Sequence, residues 1–231
     1  MKHALLIFVA VGLLQGCSSQ HTRPKYPDPY WEGIWGKNIK YMISTPGVDK
    51  KGADTIWLAR DSRKMARRRL WSVDTTEYDD RNFIVHVLSS GESPDNRIYK
   101  YHQTGDTVFC VSYSIKHQHW NYSLSDLDST MNSTGRFVVD REGRVMSEIN
   151  EMEFVVFDYG EDNLLDTEVR LNKDSSKISS SHYSYDRDQL LSISHFDNND
   201  LLLFTHHMKS GLPDSVVFPD RVVKYYYVYY K

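Results

Sequence analysis

From residue 137 onward, short apolar stretches recur at hairpin spacing with polar turn signals between them, and this rhythm restricts the fold more than any other feature of the sequence. The stretches are 137–139, 145–149, 153–157, 167–171, 190–196, 202–206 and 222–230. Each is too short for a stable helix and rich in Val, Ile, Phe or Tyr, which suit a pleated, half-buried surface. Spacing of this kind predicts an antiparallel meander of hairpins. Upstream, residues 39–43, 55–59, 82–88 and 107–114 read as further strands. Segment 82–88 is apolar on both faces apart from His86, the pattern of a buried strand. In 107–114, Phe109, Val111 and Tyr113 share one side. Sixteen tyrosines agree with a mainly β domain, and twelve glycines and seven prolines are too few for a disordered chain. The expected fold is a mainly β, twisted or rolled antiparallel sheet with little helix.

One segment is ambiguous. Residues 58–71 contain good helix formers, with Leu58, Met65 and Trp71 near one helical face, yet they also read as a hairpin turning at Asp61-Ser62-Arg63-Lys64. The lead-in Thr55-Ile56-Trp57 tilts the reading toward strand.

Between about 137 and 207 a degenerate repeat appears. Val139-Asp140-Arg141-Glu142-Gly143-Arg144-Val145, Tyr185-Asp186-Arg187-Asp188-Gln189-Leu190-Leu191 and Phe196-Asp197-Asn198-Asn199-Asp200-Leu201-Leu202 share one template. An apolar residue is followed by Asp, two turn residues, a turn closer, a spacer and an apolar residue. Phe157-Asp158 with Leu165 fits after an insertion. The Asp can accept hydrogen bonds from the backbone two residues on, and the closer must take a positive φ. Gly143 suits that position, whereas Gln189 and Asp200 depart from it. The template resembles the YD repeats of bacterial cell-surface proteins and of small enterobacterial lipoproteins, which implies hairpins and a surface location but no activity.

The N-terminus has the zones of an export signal. Lys2 and His3 precede an unbroken apolar run at 4–14. As a helix that run spans about 16 Å, half a bilayer core, so it fits a signal peptide and not a membrane span. It ends in Leu14-Gln15-Gly16-Cys17, which resembles the lipobox of bacterial lipoproteins. The resemblance implies cleavage between Gly16 and Cys17, two or three acyl chains on Cys17 and attachment to a membrane. One chain alone would bind only marginally. Ser18 and Ser19, in place of aspartate, imply sorting to the outer membrane. Residues 17–30, with Pro24, Pro27 and Pro29 and no apolar periodicity, read as a lipidated spacer, and 31–231 as one domain.

The formal net charge of −3, −4 once Lys2 leaves with the signal, together with export, argues against a nucleic-acid partner. With Cys17 lipidated, Cys110 has no disulfide partner and reads as a small buried hydrophobe.

Other constellations have ordinary readings beside functional ones. His117 and His119 share a strand face but need a third metal ligand, with His86 or His102 unplaceable. His206 and His207 are adjacent and point to opposite faces of a strand. Asp197–Asp200 lacks the Gly and distant Glu of a calcium loop and reads as a turn. Arg63, Lys64, Arg67, Arg68 and Arg69 could meet anionic lipid or an acidic partner, or form a solvated face balanced by Glu77, Asp79 and Asp80. Tyr30, Trp31 and Trp35 could stack on cell-wall sugars or pin the domain's start to its core. In the closing strand, Val223, Tyr225, Tyr227 and Tyr229 are expected to pack inward. No catalytic, phosphate-binding or dinucleotide motif appears, and no cofactor or metal is expected. The expected role is a non-enzymatic binding or structural envelope domain with a protein or cell-wall partner. A lipoprotein that neutralises a toxin, phage or plasmid, and an envelope hydrolase, are the alternatives.

Overall fold

The structure, a computed structural model, describes residues 23–44, 55–60, 63–68, 73–90, 96–115 and 127–231. Among these residues a four-residue helix, α1 (Pro29–Glu32), precedes sixteen strands. They are β1 (Ile39–Ser44), β2 (Thr55–Leu58), β3 (Lys64–Arg68), β4 (Val73–Tyr78), β5 (Ile84–Ser90), β6 (Arg97–Thr104), β7 (Thr107–Ile115) and β8 (Leu127–Val139). Then follow β9 (Val145–Ile149), β10 (Glu153–Tyr159), β11 (Leu165–Asn172), β12 (Lys177–Asp186), β13 (Gln189–Phe196), β14 (Leu202–Lys209), β15 (Leu212–Val217) and β16 (Val222–Tyr229). Every strand pairs antiparallel with its chain neighbours, and β1 pairs with β16, so the meander closes into a barrel. Closure removes both sheet edges, the groups on which strands of other chains could template. Within the ambiguous segment 58–71, the described residues 64–68 are strand: β2 and β3 pair through Ile56–Arg67, Trp57–Ala66 and Leu58–Met65, and residues 61–62 and 69–71 lie outside the described residues.

Five turns share one geometry. In each, the first residue donates its N–H to the carbonyl four residues on and accepts at its own carbonyl from the residue three on. That third residue is left-handed: Asn82 after Asp79 (φ 65°), Gly143 after Asp140 (82°), Asn163 after Gly160 (64°), Ser175 after Asn172 (66°) and Asp200 after Asp197 (62°). This is a type I turn with a bulge, a common three-residue hairpin connection. The Asp79, Asp140 and Asp197 carboxylates reinforce it by accepting from backbone N–H groups two and four residues on. Two of the four sequence matches, at Asp140 and Asp197, are therefore true turns of this kind. At 185–191 the expected closer Gln189 instead begins β13, and Arg187 carries the positive φ (56°) of a tighter turn. Asp158 lies within β10, because its turn starts at Gly160.

The inward faces of the strands form the core. Val108 and Cys110, Phe137 and Val139, Val145, and Val155 and Phe157 make one cluster with Phe83 and Leu165. Ile39, Met42 and Leu58 make a second with Ile34, and Leu190, Ile193 and Met208 a third. The 107–114 stretch thus buries Val108, Cys110 and Ser112, while Phe109 on its other side is 45% exposed. Segment 82–88, expected to be buried on both faces, buries Asn82 and Phe83 in the turn and is only half-buried from Ile84 to Leu88.

The chain ahead of β1 fills the barrel. Because the meander alternates direction, the β2–β3, β4–β5, β8–β9 and β14–β15 connections lie at one end, here called proximal, with the start of β1. The chain enters there: Lys25 bridges to Arg144, and the Tyr26 N–H donates to the Arg81 carbonyl at 2.8 Å. Inside, Pro24 is fully buried, and the Tyr26 ring packs edge-on against Phe83, Phe137 and Phe157 at 5.7–5.9 Å. Its hydroxyl donates to Glu148 Oε2 at 2.9 Å. Asp28 caps α1 by accepting the Trp31 N–H at 3.1 Å, with Pro29 in the first turn, where a missing N–H costs nothing. The segment then returns past Gly33, against Gly211, to β1. The spacer reading of 17–30 is corrected here: from Pro24 onward these residues are a plug in the barrel interior. Residues 17–22, including Cys17, lie outside the described residues.

Candidate ligand cavity

Beyond the plug, toward the distal end, the barrel holds an open cavity of about 540 Å³. Its floor is Tyr30 and Trp31 of α1, and its walls come from β1–β3 and β12–β16. One wall is a run of rings in mutual contact. Trp31 meets Tyr30 edge-on at 5.3 Å, and Tyr30 meets His206 at 5.3 Å. His206 lies 5.3 Å from His195 and 5.5 Å from Phe204, and Phe204 lies 5.3 Å from Phe218. Met42 of β1 and Ile56 of β2 give aliphatic lining.

Strand geometry accounts for this set. His195 and His206 stand on neighbouring strands with offset registers, since Ile193 pairs with His206 and His195 with Phe204. Ile193, His195, Phe204 and His206 therefore share the inner face. His207, one residue on, is exposed on the outer face, as the alternation expected.

Burial disfavours the charged form of both imidazoles. Burial pulls His206 down to about 4, with smaller contributions from His195 and His207, and burial also lowers His195. His195 Nδ1 shares a hydrogen bond with Ser181 Oγ at 3.0 Å. His206 Nδ1 is buried with no hydrogen-bond partner among the described residues. An unmade bond at a buried polar atom costs about 1–3 kcal/mol.

A second cavity, of about 470 Å³, lies on the other side of the plug, next to Tyr26 and Asp28. One side of it is a polar network: Tyr183 donates to Glu168 Oε2 at 3.2 Å, and Arg170 bridges Glu168 at 2.8 Å and Glu153 at 3.0 Å. Burial raises the Glu148 carboxyl, while its bond from Tyr26 opposes that rise. Asp28 is raised to about 7, chiefly by burial and against the pull of the Trp31 N–H.

The other sequence candidates are dispersed. Cys110 is buried and its thiol pushed up to about 11 by burial, consistent with a packing role. His86 sits on the outer face 3.0 Å from Glu77, and His102 is exposed beside Thr104. His117 and His119 lie outside the described residues, as do Gly16 and Cys17. The basic cluster is split by the strand's alternation: Lys64 faces outward 3.8 Å from Glu77, whereas Arg67 faces the cavity. Arg63 donates to Asn82 in the neighbouring turn. Tyr225 and Tyr227 face inward as expected, but Tyr229, at the proximal rim, is 51% exposed. Tyr30, Trp31 and Trp35 pack within the barrel. Among the described residues no group of three His, Cys, Asp or Glu side chains is arranged to hold a metal. Sequence reasoning missed His195, Phe204 and Phe218; inward alternation along β13 and β14 was the only signal for the first two.

No family model matches the chain, and no curated protein does. Among solved structures it is similar to a porin-like protein from Bacteroides uniformis, at 7% identity, over 88% of this chain and 100% of that one, with a TM-score of 0.38. The fold and the cavity define the chain as a plugged antiparallel β-barrel with an aromatic internal pocket.

Proposed function

We propose that this chain is a lipid-anchored, non-enzymatic binding protein of the bacterial envelope whose barrel holds a small apolar ligand. The distal cavity carries this reading: about 540 Å³, walled by rings, and floored by the protein's own N-terminal segment. Pockets for small molecules span about 300–1,000 Å³, with mainly apolar and aromatic linings and a few placed polar groups. Among the described residues none that lines the cavity is acidic.

The lipobox-like Leu14-Gln15-Gly16-Cys17 supports the anchor, and Ser18-Ser19 the outer membrane. Arg23 is six positions after Cys17, a separation that at full extension reaches about 20 Å. The proximal end then faces the lipid and the cavity opens away from it. The outer face carries Lys64, Glu77, His86, Lys100 and His102 on β3–β6, and exposed Leu191, Leu203, Val217, Val222 and Val228 on β13–β16.

The test uses the mature chain made water-soluble by Cys17→Ser, titrated with the neutral fluorophore N-phenyl-1-naphthylamine. The expected result is saturable binding at one site, weakened by Ile193→Trp, which narrows the cavity from its β13 wall. Binding that does not saturate, or that Ile193→Trp leaves unchanged, overturns the proposal.

A further inference from the structure

The cavity of about 470 Å³ beside the plug differs in chemistry from the distal one and takes no part in the function proposed above. We propose that it is a second binding site, for an organic ammonium ion whose N–H group donates to Oδ2 of Asp28 and whose charge lies among tyrosine rings.

Three observations carry it. The first is a free acceptor. Asp28 Oδ1 accepts the Trp31 N–H at 3.1 Å, whereas Oδ2 has no hydrogen-bond partner among the described residues. Unlike the sealed Nδ1 of His206, this oxygen keeps accessible surface. Asp28 lines the cavity and also a pocket of about 770 Å³ that reaches the β14–β15 turn at Ser210 and Gly211. The carboxylate thus stands between the cavity and the proximal end of the barrel.

The second is an imbalance of charge. Among the described lining residues Asp28, Glu148 and Glu168 are acidic, and Arg170 is the one cation. Arg170 is committed to Glu168 at 2.8 Å and Glu153 at 3.0 Å. Neither Asp28 nor Glu148 has an ion-pair partner among the described residues. Burial raises both carboxyls, because an enclosed negative charge without a partner is costly. A cation placed at Oδ2 offsets that cost.

The third is the rest of the lining, which includes Tyr78, Phe83, Tyr99, Tyr101 and Tyr183. Burial first, and then nearby carboxylates that include Asp28, raise the Tyr78 and Tyr183 hydroxyls, which puts both rings beside the acid. Ring faces attract an ammonium charge, and more strongly where water is excluded. Other ligands fit less well. No group of three His, Cys, Asp or Glu side chains among the described residues is arranged for a metal. An anion would meet carboxylates and a guanidinium that is already paired.

Calorimetry at pH 8 with the Cys17→Ser mature chain and three probes of similar shape tests this: 2-phenylethylammonium, 2-phenylethanol and 3-phenylpropionate. The ammonium is expected to bind about tenfold more tightly than the alcohol, the worth of one charge-assisted hydrogen bond, and the carboxylate more weakly than either. Asp28→Asn keeps the cap of α1 and removes the charge. In that variant the ammonium should fall to within about twofold of the alcohol, whose own affinity should hold. Equal binding of ammonium and alcohol by the wild type overturns the proposal, whatever the variant does. A preference for the carboxylate, an ammonium preference that survives Asp28→Asn, or no binding of any probe overturns it as well. Asp28 does not line the distal cavity, so its titration with N-phenyl-1-naphthylamine should be the same in Asp28→Asn, and the two sites stand or fall separately.

Discussion

Replacing Asp28 with Asn should stabilise the protein at pH 8 and leave it nearly unchanged at pH 4. Asp28 is enclosed by protein at the head of the plug, and burial raises its carboxyl from 3.8 to about 7. A raised acid binds its proton more tightly in the folded state, so folding stability is greatest below pH 4 and falls as pH rises toward 7. At 1.36 kcal/mol per pH unit the full loss is about 4 kcal/mol. Asp28 also borders the cavity of about 470 Å³, into which the charge can relax, so the expected difference is about 2–4 kcal/mol. Asn keeps the acceptor for the Trp31 N–H and is as good an N-cap as Asp. It carries no charge to desolvate. Urea unfolding of the wild type and Asp28→Asn at pH 4 and pH 8 measures the effect. The variant's midpoint should exceed the wild type's at pH 8, and the gap should close at pH 4. A variant no more stable than wild type at pH 8, or a gap independent of pH, would refute the account of a carboxylate enclosed in the barrel.

Three further predictions follow from other parts of the chain. A Cβ at Gly33 would stand 2.2 Å from the Gly211 carbonyl oxygen, so Gly33→Ala should cost about 2–3 kcal/mol in urea unfolding by forcing the plug from the β14–β15 turn; an unchanged midpoint would show that this contact is not tight. Cys110, with its thiol near 11 and buried, should stay unlabelled by iodoacetamide at pH 8 in the native protein and react on unfolding; prompt native labelling would contradict its place in the core. Cys17→Ser should move the protein from the membrane fraction to the soluble fraction, and its retention in the membrane would refute the anchor.

The strands with clear apolar alternation were legible in the sequence; those with mixed faces were not. β10, β11, β13 and β14 stand close to where the periodicity put them. β6 was missed because Lys100, His102 and Gln103 interrupt its pattern, β12 because Ser179–Ser181 mimic a loop, and β15 because it contains Pro213. The turn template failed at Gln189 and Asp158 because it fixed the position of the Asp, whereas the geometry requires a residue that tolerates positive φ. Asn163 and Ser175 meet that requirement in turns that the template misplaced or missed.

Closure and the plug were beyond local reading for a different reason. Pairing Ile39 with Tyr229 joins the two ends of the domain, and no window of sequence contains both. The prolines at 24, 27 and 29 have the composition of a spacer whether they sit in solvent or in a barrel. Only the aromatic residues among them, Tyr26, Tyr30 and Trp31, hinted at burial. The cavity depends on both features, since its floor is the plug and its walls come from strands far apart in the chain. His195 and His206 carry no motif; register alone places their rings side by side.

The central claim is that the residues ahead of β1 are part of the barrel's interior and not a tether. Hydrogen exchange of the full-length protein, followed on a peptide spanning residues 24–37, tests it most directly. The Tyr26, Ile34 and Trp35 amides donate to Arg81 and Trp31 carbonyls, so they should exchange as slowly as amides of the neighbouring strands. Exchange of the whole peptide at the rate of an unstructured chain would contradict the plug, and with it the floor of the cavity.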